Sequence, residues 1–200
     1  MSLPELRLQV HSYTMAYWVS RDDGQELFDL DAPYQRGAVW TQEQQRNLIK
    51  SLYMGLPVGS IVVSYLGDRL DRPFRVVDGK QRVLAVRAWH TNQLAVPAEW
   101  FRPGDLADDN NYDRADVMVK WNDLSQACHR RFIMATQLPS LEFHGQTELT
   151  RRDKGYDRRD RTPQEVVQAE AELYLLINFA GVTQTDTDRS RAETVARPAT

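Results

Sequence analysis

Residues 74–90 constrain this chain more than any other stretch. They read Phe-Arg-Val-Val-Asp-Gly-Lys-Gln-Arg-Val-Leu-Ala-Val-Arg-Ala-Trp-His. Phe74, Val76 and Val77 follow a turn-like Asp71-Arg72-Pro73 and favour a short buried strand. Asp78-Gly79 breaks that run, and from Lys80 the apolar residues Val83, Leu84, Val86, Ala88 and Trp89 recur in a helical pattern. A strand thus delivers the chain to a glycine that opens a helix. The first amides of a helix lack internal partners and carry the positive end of its dipole, so the place suits an anion. Gly79 lets that anion approach the backbone with no Cβ in the way. Gln81 and Arg82 add donors, and the arginine fork matches phosphate oxygens. On spacing alone Asp78 could accept from a ribose or base, hold a metal or orient Arg82. The plainer alternative is that it caps the helix.

Two hundred residues fit one domain with a real core. The net charge of −3 excludes a protein that coats nucleic acid by charge alone, though not one with a local basic patch. Cys128 is the only cysteine, so no intramolecular disulfide can form and cysteine-based zinc sites are excluded. A reducing, cytoplasmic setting is the expectation. No signal peptide and no bilayer-length apolar run is visible, so no membrane partner is expected. His11, His90, His129 and His144 show no metal-ligand spacing, and no intrinsic metal or organic cofactor is expected.

Along the chain, Leu6, Leu8 and Val10, then Met15, Tyr17 and Val19, suggest strands in a small antiparallel element closed by an Asp23-Gly24 turn. The loop 31–40 gathers Tyr34, Gln35, Arg36 and Trp40, either as a site or as core anchors. Thr41 and Gln44 form a capping-box pattern for a helix over 41–54, and strands follow at 58–65 and 74–77. Residues 97–116 read as an exposed, solvated acidic loop, with a short strand at 116–120. A helix over 123–135 buries Cys128, and a strand over 137–143 is expected to break at Pro139. Residues 151–161 read as a mobile basic loop and a candidate nucleic-acid contact through Arg151, Arg152, Lys154, Arg158, Arg159 and Arg161. Thr162, Pro163 and Glu165 open a helix over 163–180 in which Asn178 needs a specific partner. The expected organisation is one domain over 1–182 and a flexible tail over 183–200, disordered beyond about residue 188. Within the domain lie a motif core at 30–92, a variable loop region at 95–160 and the C-terminal helix.

Four segments together resemble the N-terminal domain of GmrSD-type modification-dependent restriction proteins. They are Tyr34-Gln35-Arg36 with Trp40; Leu48-Ile49-Lys50-Ser51-Leu52 with the Gly55–Ile61 run; Val77-Asp78-Gly79-Lys80-Gln81-Arg82; and the 172–181 run that contains Ile177-Asn178. Lys80 stands where the family usually has glutamine. Gly79 to Ala85 is also similar to the Gly-x-Arg-Arg-x-x-Ala box with which ParB-type proteins hold nucleoside triphosphates. The resemblance implies an α+β, ParB/sulfiredoxin-like single domain, with a small mixed sheet flanked by helices. It implies a nucleoside triphosphate with Mg2+ as ligand and a role in DNA transactions or phage–host defence. Gly79, Lys80, Gln81 and Arg82 would hold phosphates, Asp78 and Arg82 would be catalytic, and Tyr34, Gln35 and Arg36 would close the pocket, with Asn178 in support. DNA-cutting members carry a separate His-Asn-His nuclease domain, which this sequence ends before. Nucleotide hydrolysis is therefore expected ahead of nuclease activity. The alternatives are a DNA-binding protein that uses the basic loop, and a non-enzymatic interaction or inhibitor module that needs a separate nuclease or host protein.

Overall fold

A computed structural model of the chain describes residues 8–19, 27–35, 40–67, 72–108, 116–152, 155–179 and 192–196. Its centre is a five-stranded mixed sheet. The strands are β1 (Leu8–Thr14), β2 (Phe28–Asp29), β3 (Ile61–Tyr65), β4 (Phe74–Asp78) and β7 (Gln137–Phe143), in the order β1-β7-β3-β4-β2. Strand β4 pairs antiparallel with β3, as its sequence suggests, and parallel with the short β2. Two short strands, β5 (Val96–Pro97) and β6 (Met118–Val119), pair apart from the sheet.

Side chains alternate across this sheet and separate two cores. Ile61, Val63 and Val76 face helices α1 (Met15–Val19), α2 (Gln42–Tyr53), α3 (Lys80–His90) and α4 (Gln126–Ala135). Val62, Val77 and Phe143 face the long C-terminal helix α5 (Pro163–Phe179). The sheet is thus covered on both sides, and the result is a mixed α+β domain. Cys128 is buried in the larger core, and burial pushes its thiol up to about 11. It behaves as a small apolar residue.

Several sequence expectations need correction. Met15, Tyr17 and Val19 do not form a strand; Met15, Trp18 and Val19 are buried at helical spacing in α1. Strand β1 joins β7 rather than a neighbouring hairpin, and residues 20–26 lie outside the described residues. Pro139 does not interrupt β7. It faces Ser12 of β1, while β3 pairs only from Ser140 onward, so its missing N–H removes no bond to β3. The 97–116 loop is not wholly solvated. Asp105 is buried, accepts from the Tyr53 hydroxyl and pairs with Arg131 at 2.8 Å. The basic 151–161 segment is no loop but half of a hairpin, β8 (Thr147–Arg152) with β9 (Gly155–Asp160). In the expected tail, residues 192–196 are helical, and Ala192 is fully buried in the core beneath α5.

Candidate functional site

The turn between β4 and α3 opens into a cleft of about 170 Å³. Asp78, Gly79, Lys80, Gln81 and Arg82 line one wall, Gln35 and Trp40 a second, and Tyr174 and Asn178 of α5 a third. The structure therefore gathers segments from three distant parts of the sequence.

The backbone here is shaped by a register shift. Val62 pairs with Asp78 and Val63 with Val76, which leaves Val77 as an extra residue in β4. Successive carbonyls of a regular strand point to opposite sides, but this bulge brings two of them to one donor. The Gln35 amide donates to the Val76 carbonyl at 2.8 Å and to the Val77 carbonyl at 2.5 Å. Bulges commonly re-aim side chains at functional sites. Here the re-aimed residues are Asp78 and Gly79.

Gly79 has φ +93°, a left-handed conformation that costs other L-residues roughly 1–2 kcal/mol. A Cβ there would also lie 2.9 Å from Arg82 Nη1 and 3.2 Å from Ile61 Cα. Only glycine fits. Helices α2, α4 and α5 are each capped by a hydroxyl, from Thr41, Ser125 and Thr162. Helix α3 is different: among the described residues, no side chain caps it. Its first turn carries no acid but holds Lys80 and Arg82. Cations at a helix N-terminus oppose the dipole, so this end concentrates positive potential that a bound anion would relieve.

Arg82 is held in place. Its Nη1 donates to the Ser60 carbonyl at 3.1 Å and lies 3.5 Å from Asp78 Oδ2. Gly59, with φ +63°, lies against the other side of the guanidinium, and a Cβ there would lie 3.2 Å from Nη2. The Gly59-Ser60 pair is therefore the seat of Arg82, a role its sequence did not announce. Asp78 is thus seen orienting Arg82 and not capping α3. Lys80 Nζ lies 3.3 Å from Asp31, and Gln81 Oε1 accepts from the Trp40 amide at 3.3 Å.

Tyr34 does not line the cleft. It is buried, its ring packs against Tyr174, and its hydroxyl donates to Glu170 at 3.3 Å. Arg36 lies outside the described residues. Asn178 finds its partner one turn back, where its amide donates to the Tyr174 carbonyl at 2.9 Å. The basic hairpin does not converge on the cleft. Arg159 binds Glu165 at 2.9 Å, and Arg161 donates to the Gly145 and Thr147 carbonyls, each at 3.1 Å. Arg158 is exposed, Arg151 and Arg152 lie on β8, and Lys154 is outside the described residues.

Sequence reading missed the network that docks α5. Arg75 Nε donates to Asp29 at 2.8 Å, and its Nη1 donates to the fully buried Glu170 at 3.0 Å. Burial pushes the Glu170 carboxyl up, and Arg75 draws it part of the way back. Burial is also the largest single influence on Asp29, but the Arg75 hydrogen bond, the Asp31 amide and the charges of Arg75 and Arg72 together outweigh it and hold the carboxyl below its usual value. Burial keeps the Tyr34 phenol protonated, as a donor. Glu170, Tyr174 and Asn178 recur every fourth residue on α5. The ion pair thus sets the height at which Tyr174 and Asn178 meet the cleft. The one available signal was an acid directly beside the apolar stripe of α5.

A family model described as the N-terminal domain of the GmrSD restriction endonuclease matches residues 20–193, further in both directions than the motifs alone. No curated protein and no solved structure matches the chain. With most of its length matched, the chain belongs to the family of GmrSD restriction endonuclease N-terminal domains.

Proposed function

We propose that this domain binds a nucleoside triphosphate at the Asp78–Arg82 turn, within a restriction or phage-defence system. The observation that carries the proposal is the uncapped, cation-bearing N-terminus of α3 opening through Gly79 into a cleft. The phosphates would sit on the first amides of α3, with Lys80 and Arg82 as counter-charges. Trp40 offers aromatic surface to the nucleoside.

Hydrolysis is the second step of the proposal. Water adds to the terminal phosphorus, the bond to the diphosphate oxygen breaks, and the water's proton passes to an oxygen of the released phosphate. Arg82 stabilises the charge that spreads over the transferring group. Asp78 orients both Arg82 and the attacking water. Among the described residues no three His, Cys, Asp or Glu side chains cluster as a metal cage. One carboxylate plus phosphate oxygens is nevertheless a usual set for Mg2+, which would neutralise phosphate charge at Asp78. DNA is the final target of such a system, and a nuclease domain, on this or another chain, is the proposed partner. The domain would act in the aqueous phase, and no described helix is long and apolar enough to cross a membrane.

The test is calorimetric titration with ATP, GTP and CTP in the presence of magnesium. Saturable heat with at least one of them is the expected result. No heat with any of the three would reduce the turn to a structural joint.

A further inference from the structure

The two edges of the central sheet are unlike. Strand β2 closes one of them with only two residues, a short edge that offers little to another strand. The other edge is β1, whose seven residues run in unbroken register with β7. Among the described residues, no strand pairs with its outer side. An edge strand presents unpaired N–H and C=O groups there, which form a template for a further strand. Sheets commonly blunt such an edge with lysine, proline or a bulge. Strand β1 reads Leu-Gln-Val-His-Ser-Tyr-Thr and has none of these.

Its side chains add an apolar strip. Leu8 and Val10 stand opposite Phe143 and Leu141, which belong to the core beneath α5, so they lie on the α5 side of the sheet. They are nevertheless uncovered, with Val10 79% exposed and Leu8 38%. Exposed Pro139 and half-buried Leu141 carry the strip across onto β7. His11 and Tyr13 point to the opposite face, where Glu142 engages both. The Tyr13 hydroxyl donates to it at 3.3 Å, and His11 Nε2 lies 3.7 Å from it. The strip therefore offers no charge by which an acidic or a basic strand could be selected.

We propose that β1 pairs antiparallel with β1 of a second copy of this chain, which joins two five-stranded sheets into one of ten strands. The accessible run is Leu8–Ser12, and Val10, its most exposed residue, stands at the midpoint. A register centred there sets Val10 beside the partner's Val10, Leu8 opposite the partner's Ser12 and Gln9 opposite the partner's His11. No pair in it opposes like charges, and the contact is self-complementary, as a two-fold interface requires. The two-fold axis runs perpendicular to the sheet, so both apolar strips stay on one face and meet at Val10. A foreign strand would gain only the backbone bonds, whereas a second copy also supplies the matching strip. Five residues a side make a small contact, which places the dimer among weak, reversible ones.

The experiment is sedimentation velocity of the full chain from about 1 to 300 μM. A concentration-dependent passage from monomer to dimer is expected, with a Kd on the order of tens of micromolar. Val10→Lys and Val10→Glu alter an exposed side chain, and circular dichroism should show both folded. Each sets like charges against each other across the axis, and each is expected to weaken association about tenfold or more. An equimolar mixture of the two should associate again, because the axis then sets lysine against glutamate. A monomer at every concentration would overturn the proposal. So would a dimer that both variants leave unchanged, or variants that separate and fail to associate when mixed.

Discussion

Replacing Arg82 by alanine is expected to weaken triphosphate binding roughly hundredfold while the domain stays folded. Charge-assisted hydrogen bonds contribute about 1.5–3 kcal/mol each, and Arg82 can offer a fork of two to a phosphate. The structural cost is smaller. The substitution frees the Ser60 carbonyl at a site where the Arg82 side chain is 24% exposed, so water can replace the lost donor. A cost of about 1 kcal/mol is expected from a domain whose whole stability is on the order of 5–15 kcal/mol. Arg82→Lys separates charge from geometry. It keeps the cation but loses the fork and the contact with Ser60, and it should recover only a small part of the affinity. Circular dichroism beside calorimetry decides the matter. An Arg82→Ala chain that is folded and still binds at the original affinity would remove Arg82 from the site. A chain that unfolds would make the residue architectural.

The largest stability effect is expected from Arg75→Ala. Arg75 joins Asp29 to Glu170, and the Glu170 side chain is 0% exposed. Removing one partner of a buried pair commonly costs about 3–5 kcal/mol, because the other is left charged in a poor solvent. With Arg75 itself 19% exposed, the lower end applies, and a fall in Tm of roughly 6–12 °C is expected for a chain of this size. The pH dependence has a definite sign. The folded-state pKa of Glu170 already lies above its ordinary value, through burial. Such a group contributes most when protonated and loses that contribution as pH rises through its folded pKa. Without Arg75 the pKa rises further. The Tm deficit should therefore be larger at about pH 8 than at about pH 5, and adding Glu170→Gln to Arg75→Ala should narrow it at the higher pH. A deficit that is flat with pH, or deeper in acid, would show that Glu170 is not the group left stranded. Because Tyr174 and Asn178 follow Glu170 on the same helix face, the variant should also lose nucleotide affinity.

The parts of the fold that were legible in sequence are those whose cause is local. The Thr41 and Thr162 capping boxes, the glycine break between β4 and α3, and the burial of Cys128 each follow from a few neighbouring residues. The features that were not legible depend on distant partners. Pro139 fits inside β7 only because β3 begins pairing at the next residue. Asp105 is buried only because Tyr53 and Arg131 meet it from two helices. Glu170 sits in a core only because Arg75, on the α5 face of β4, reaches it. The site divides in the same way. Residues 78–82 could be read from one strand–turn–helix, and Gln35 and Asn178 stood out in their own segments before the resemblance joined them to the site. Gln35 proved to brace the β4 bulge, and Tyr34, expected at the pocket, instead anchors α5 through Glu170.

The central claim is that triphosphate oxygens rest on the first amides of α3. Amide-resolved NMR of the isotope-labelled chain tests it most directly. On addition of a triphosphate with magnesium, the backbone amides of Gly79, Lys80 and Gln81 should shift together and saturate, while those of the β8–β9 hairpin stay in place. Saturable binding that moves the hairpin or the far end of α3 and leaves Gly79 unmoved would contradict the account.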